Sequence, residues 1–259
     1  SHHTRCVARR ELAEDTIQLI ARTTQSRTEV AQTARTHVFR DGERIIPRAR
    51  TEERDDWIGQ ELDVDVEGGT PITVEKIVGL FTSRDRGMSE PGYSSARSVE
   101  ATGRFDTVLG THARGWQTLW DEFDFELETP GNNQTALNLR VHVFHLLQTV
   151  SPHTLATDAG VPARGWHGEA YRGHIFWDEI FILPLLNLRM PLLTKTLLRY
   201  RYRRLREARH AAREAGFKGA MFPWQSGSDG REESQRIHLN PRSGRWTPDL
   251  TYLQRHVSA

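Results

Sequence analysis

The chain has 259 residues, of which 37% are hydrophobic and 27% charged, and its formal net charge is +1. Such a length can bury a substantial core, in one large folding unit or two smaller ones, and the near-cancelled charge excludes a global field that would steer the protein to nucleic acid or anionic lipid. A single cysteine, Cys6, excludes an internal disulfide framework and leads us to expect a reducing, cytoplasmic setting, while the longest apolar stretch, 175–198, is interrupted by Asp178, Glu179, Asn187, Arg189 and Lys195 and cannot span a bilayer.

The chain opens at Ser1 without a basic-then-apolar leader and reads as a fragment of something longer. Residues 15 to 82 alternate with period 2: Ile17, Leu19 and Ala21 in one run, Leu62, Val64 and Val66 in another, which is the pattern of half-buried strands. Gly68-Gly69-Thr70-Pro71 is a turn signal, and the following "ITVEKIVGLFTS" is expected to return as the second strand of a hairpin. The stretch "SRDRGMSEPGYSSARS", 83–98, has the Ser, Gly, Pro and Arg content of a linker.

Beyond it the period becomes helical. Phe105, Val108, Leu109, His112, Trp116, Leu119, Trp120 and Phe123 form one broad apolar stripe. Residues 135–150 are apolar on nearly all sides, which predicts an inner helix, and "LLRYRYRRLREARHAAREAG", 197–216, predicts an outer helix burying Leu198, Tyr202, Leu205, Ala208 and Ala212 and capped by Gly216. Inner and outer helices in succession fit layered helical hairpins, and a plain bundle equally.

Several motifs have bland readings. Glu207 and Glu214 interleave with the arginines of 197–216, so that helix reads as a solvated face rather than a nucleic-acid surface. His142 and His145 stand three apart, but no carboxylate or cysteine sits beside them at ligand spacing, and no metal is expected. No Gly-rich phosphate loop and no G-x-S-x-G context appear. Two stretches remain: Trp177-Asp178-Glu179 inside the apolar run "RGHIFWDEIFILPLL", and "MFPWQSGSDGREES", where Trp224 precedes Gln225-Ser226 and Glu232-Glu233. An indole beside fixed carboxylates and amides suits a sugar ring, whose C–H face stacks while its hydroxyls need acceptors in fixed directions. Asp178 as a helix cap or as the ion-pair partner of Arg172, and Trp224 as a packing residue, fit the same residues.

The blocks "THARGWQTLWDEFDFEL", "VFHLLQT", "VPARGWHGEAYRGHIFWDEIFILPLL" and "LLRYRYRRLREARHAAREAGFKGAMFPWQSGSDGREE" resemble, in order and spacing, successive blocks of glycoside hydrolase family 65, which holds maltose, trehalose and kojibiose phosphorylases and some trehalose-cleaving hydrolases. The resemblance covers residues 105–259 and, more loosely, the strand-rich part before them. It implies an α+β, multi-domain fold: the end of an N-terminal antiparallel β-sandwich over 1–85, a linker with a helix over 86–130, and the first part of an (α/α)6-barrel catalytic domain over 131–259. Its F-W-D motif falls on Phe176, Trp177 and Asp178, its P-W block on Pro223 and Trp224 with Gln225 and Ser226 after it, and its G-x-E on Gly230 and Glu232. The substrate-binding residues it implies are therefore Trp177, Asp178, Trp224, Gln225, Ser226 and Glu232. The family usually reads W-D-T-E, and this chain has a shorter W-D-E, which leaves Glu179 without an assigned role.

The family's general acid is a Glu in a later block, expected beyond Ala259, and its phosphate-binding residues lie later still. The resemblance thus implies the front part of an inverting enzyme acting on an α-glucosidic disaccharide such as trehalose or maltose, incomplete and inactive by itself. The attacking group is inorganic phosphate as co-substrate in a phosphorylase, water in a hydrolase, and no other cofactor is implied. A disaccharide or glucose is the expected partner, with no nucleic acid and no membrane, and the resemblance allows a homodimeric parent protein. A non-catalytic sugar-binding or assembly module is the alternative.

Overall fold

The computed structural model describes residues 3–85, 87–125, 133–165, 173–227, 229–234, 238–239, 242–247 and 256–258. It divides into two compact units, 1–117 and 118–259.

The first unit is an antiparallel sheet. β1 (Thr4–Ala13) pairs with β2 (Thr16–Thr23), β2 with β3 (Glu29–Arg40), and β3 with both β4 (Glu43–Ile45) and β7 (Ile72–Thr82). β5 (Arg48–Arg54) and β6 (Trp57–Asp63) form a separate hairpin, tied to β1 by Arg9, which donates to the Arg54 carbonyl at 2.8 Å. The hairpin expected between 62–66 and 72–83 does not form. β6 pairs locally through the tight Asp55-Asp56 turn, whereas β7 pairs residue by residue from Val30↔Thr82 to Arg40↔Ile72 with the free edge of the longest strand. A ladder of that length satisfies far more backbone groups than a short strand ending at Asp63 could.

Residues read as linker turn out to be helical from Pro91 to Ala101 (α1), and this helix lies on the sheet. Small side chains make the approach possible: a Cβ at Gly79 would stand 2.9 Å from Val99 Cγ2 and 3.0 Å from the Ser95 carbonyl. Across the contact the Gln18 amide nitrogen donates to the Gly92 carbonyl at 2.7 Å and to Thr33 Oγ1 at 2.9 Å, and Thr33 and Ser95 hydroxyls meet at 2.7 Å. Gln18, polar in the period-2 pattern, is therefore buried because a helix covers the face it points to. Glu75 closes the unit. Burial raises its carboxyl, but the Phe105 N–H at 2.9 Å and Arg104 Nε at 3.2 Å hold it below its usual range, and it caps the first turn of α2 (Phe105–Phe123).

The second unit is mainly helical: α3 (Asn133–Thr149), a 3-10 turn (Pro152–Ala156), α4 (Glu179–Arg189), α5 (Pro191–Arg203) and α6 (Leu205–Glu214), then β8 (Ala220–Phe222). β9 (His238–Leu239) pairs with β10 (Trp246–Thr247), and β11 (His256–Ser258) with β8. α3 buries Val143 and Leu147 while Leu137 and Val141 stay exposed, so it is not covered on all sides as its composition suggested. The predicted outer helix is two helices, broken at Arg204, and it buries Leu193, Leu197, Tyr200, Ala208 and Ala212. Leu198 and Tyr202, placed inside by the sequence pattern, are exposed. Gly216 does cap α6: at φ +79° its N–H donates to the Arg213 carbonyl while the Phe217 N–H reaches back to Ala212, the paired bonds of a Schellman turn.

Candidate functional site

The site is assembled by four short extended stretches of the second unit, joined by three bridges. Isolated antiparallel bridges link Pro162 to Ile175, Ile175 to Ser226 and Ser226 to Glu232. The Ile175 N–H donates to the Ser226 carbonyl at 2.8 Å and the Ser226 N–H to the Ile175 carbonyl at 2.9 Å. These bonds lay the 174–178 segment beside 224–226, and two aromatic blocks far apart in sequence meet. The Trp177 and Trp224 rings are 6.0 Å apart at 41°, Phe176 stands edge-on to Trp224 at 6.4 Å, and Phe181 supports Trp177 at 5.2 Å.

Asp178 occupies the N-cap position of α4. It is half-buried, it caps no backbone N–H, and no described residue pairs with its carboxylate. The suggested partner Arg172 lies outside the described residues. Glu179 takes the opposite course. It is buried, accepts from the Val161 N–H at 2.8 Å, and lies 3.4 Å from Arg201, whose guanidinium also donates to the Phe176 carbonyl at 3.2 Å. Burial pushes its carboxyl above the usual range, against the pull of Arg201 and the Val161 N–H. Two adjacent carboxylates thus receive different environments, one satisfied by the fold and one left open.

The residues of 224–232 separate in the same way. Ser226 is fully buried, in contact with the Tyr200 hydroxyl at 3.2 Å, and Tyr200 donates onward to the Gly227 carbonyl at 2.7 Å. Burial raises the Tyr200 hydroxyl, which stays a neutral donor. Glu232 accepts from the backbone N–H groups of Trp224 at 3.1 Å, Gln225 at 3.3 Å and Ser234 at 3.1 Å. Gly230, at φ +81°, lets the loop lie on Arg204, where any Cβ would overlap the arginine side chain. Arg204 in turn donates to the Asp229 carbonyl at 3.2 Å and stacks on the Tyr200 ring at 3.9 Å. The G-x-E spacing therefore builds the loop that carries Trp224. Gln225 lies with its amide nitrogen 2.6 Å from His174 Nδ1.

Tyr200, Arg201, Arg204 and His174 were not singled out from sequence. A signal for the first existed in the Leu193–Leu197–Tyr200 spacing, but the surrounding arginines masked it. His142 is exposed and His145 half-buried, and among the described residues no cluster of His, Cys, Asp or Glu could hold a metal. No helix there is long and apolar enough to cross a membrane.

Comparisons with known proteins agree with this architecture. Residues 1–119 match the model of the glycosyl hydrolase family 65 N-terminal domain, and residues 140–259 that of the family's central catalytic domain. The chain is similar to an uncharacterized glycosyl hydrolase of Mycobacterium tuberculosis, with 47% identity over 95% of this chain and 18% of that protein. It is 33% identical to trehalose 6-phosphate phosphorylase of Lactococcus lactis over 93% of this chain and 30% of that protein, and 34% identical to kojibiose phosphorylase of Halothermothrix orenii over 73% and 25%. A solved structure of a candidate kojibiose phosphorylase from the human microbiome shares the fold, with a TM-score of 0.69 at 18% identity over 90% of this chain and 30% of that one. The chain spans less than a third of the length of these relatives. With both of its domain models matched in order along an antiparallel sheet followed by helices, the chain belongs to glycosyl hydrolase family 65.

Proposed function

We propose that the chain is the front part of an enzyme that cleaves an α-glucosidic disaccharide with inversion, by phosphorolysis, and that Trp177, Asp178 and Trp224 hold the glucose ring at the bond that breaks. The observation that carries this reading is the meeting of Trp177 and Trp224 at 6.0 Å next to a carboxylate that no described residue satisfies. A fold keeps a half-buried carboxylate without a protein partner at a cost, and a polar ligand is the natural compensation. Ring faces receive the apolar side of the sugar while Asp178 accepts from its hydroxyls.

Inversion requires the attacking group and the general acid on opposite faces of the sugar, so the acid and the phosphate site belong to residues beyond those assigned here. The phosphorylase names of the Lactococcus and Halothermothrix relatives support phosphate over water as the attacking group, and trehalose-type or kojibiose as the substrate. Helices α3 to α6 are read as the opening helices of an (α/α)6 barrel. The test is an assay of the full-length parent protein with kojibiose, trehalose and trehalose 6-phosphate, with and without phosphate. Glucose 1-phosphate released only with phosphate is the expected result; free glucose released equally without it would assign a hydrolase, and neither product would reject the reading.

A further inference from the structure

We propose that Arg5, Arg22 and Arg27, in the first unit, form a binding site for a small phosphate-bearing ligand, either inorganic phosphate or a sugar phosphate; the inference is independent of the glucose-binding reading above. A cavity of about 320 Å³ opens at one end of the sheet, lined by Arg5, Arg22, Thr23, Thr24 and Arg27. Arg5 on β1 stands directly opposite Arg22 on β2, so the register puts both side chains on one face of the sheet. Arg27 comes from the turn between β2 and β3. That turn is closed by the Thr23 N–H on the Thr28 carbonyl at 3.0 Å and by the Thr28 N–H on Thr23 Oγ1 at 2.9 Å, and the Thr24 N–H ties it to the His3 carbonyl at 2.9 Å.

The cluster works against the fold in ways that a bound anion would offset. Like charges directly across a strand pair repel. Glu29, opposite Arg22 on β3, compensates one of them, its carboxylate accepting from Arg22 Nε at 3.1 Å. Arg5 and Arg27 have no hydrogen bond or ion pair among the described residues, and no carboxylate lines the cavity. Arg27 also holds φ +53°, a left-handed conformation that glycine or asparagine adopts more readily than arginine. Three guanidiniums against one carboxylate leave a surplus of two positive charges, which a phosphate dianion matches, and each guanidinium fork fits phosphate oxygens in pairs. The volume lies at the small end of ligand pockets and suits a phosphate or a hexose phosphate. A polyanion is disfavoured, because the chain's net charge of +1 provides no wider field to hold it.

The experiment is a calorimetric titration of the 259-residue chain with inorganic phosphate, glucose 1-phosphate and glucose 6-phosphate, at matched ionic strength and about pH 7.5. Arg5→Gln and Arg27→Gly are the test variants. The first removes a like-charge repulsion and the second a left-handed arginine, so neither should melt below the wild type. Each should weaken phosphate binding by about 10-fold or more, the value of one hydrogen bond between charged groups. Whichever of the three ligands binds most tightly identifies the source of the phosphate group. Both sugar phosphates should bind more weakly at about pH 5, where they lose their second charge. Phosphate binding that Arg5→Gln and Arg27→Gly both leave unchanged overturns the inference and assigns the anion to other residues; a wild type that binds none of the three ligands overturns it outright.

Discussion

Asp178 sits at the start of α4 with its carboxylate unclaimed among the described residues, while the next residue, Glu179, is locked between Val161 and Arg201. If Asp178 accepts from two glucose hydroxyls, as proposed, Asp178→Asn in the parent enzyme should lose charge-assisted bonds of ~1.5 to 3 kcal/mol each and so reduce kcat/KM by roughly 10²- to 10⁴-fold. Its melting temperature should scarcely change, since no described contact is lost. A melting loss equivalent to ~3 to 5 kcal/mol with near-normal turnover would instead mark Asp178 as half of a buried ion pair. Glu179 yields a pH prediction of definite sign. Its folded carboxyl titrates above the unfolded value near 4.5, so the native state binds the proton more tightly and the residue's contribution is most favourable below pH 4.5. As pH rises through the folded pKa that contribution is lost. Glu179→Gln should therefore gain stability relative to wild type between pH 4 and pH 7, measured by urea unfolding; a difference independent of pH would show that burial does not govern this group.

At the scale of elements, close packing between small residues decides more than apolar stripes do. α1 reaches the sheet because Gly79 lacks a Cβ and because Gly92 and Ser95 face Gln18 and Thr33. Gly79→Ala should push the helix off its seat and cost ~1 to 3 kcal/mol in thermal unfolding of the first unit, within the usual range for overpacking. Unchanged stability would mean that α1 docks through its polar bonds alone. In the second unit the Trp224 loop depends on Glu232. Glu232→Ala leaves the N–H groups of Trp224, Gln225 and Ser234 without their acceptor, and glucose binding should weaken by about tenfold or more through displacement of the indole. The accompanying change in indole fluorescence without glucose would separate displacement from a lost sugar contact, since a direct contact alone would leave that spectrum as in the wild type.

For the whole molecule, the short span relative to the relatives sets the expectation. On α4 and α5, Ile180, Phe181, Leu188, Leu192 and Leu198 are exposed apolar side chains. We expect the 259-residue polypeptide alone to show no phosphorolysis or hydrolysis of trehalose, maltose or kojibiose. If the general acid lies outside these residues, as proposed, the ~10²- to 10⁴-fold contribution of proton transfer is missing from them. Glucose or glucose 1-phosphate appearing above a buffer blank would place an acid inside this chain, and the raised carboxyl of Glu179 would be the first to test.

The family and the order of sheet then helices were legible in the sequence, because aromatic and carboxylate blocks in fixed order and a change of period from 2 to 3.6 are one-dimensional signals. So was the Gly216 cap, since a glycine ending an Ala- and Arg-rich helix is a local requirement of backbone conformation. Strand partners were not legible: β7 pairs with β3 rather than with its sequence neighbour, because pairing maximises satisfied backbone groups across the whole sheet. Nor was α1, whose polar and small residues look like a linker until a sheet with a matching gap receives them. At the site, sequence alone determined that indoles and carboxylates are available at 177, 178, 224 and 232. Only the tertiary structure decided which of them the fold consumes and which it leaves open, because a carboxylate's role depends on whether backbone N–H groups reach it, as they reach Glu232 and Glu179 and do not reach Asp178.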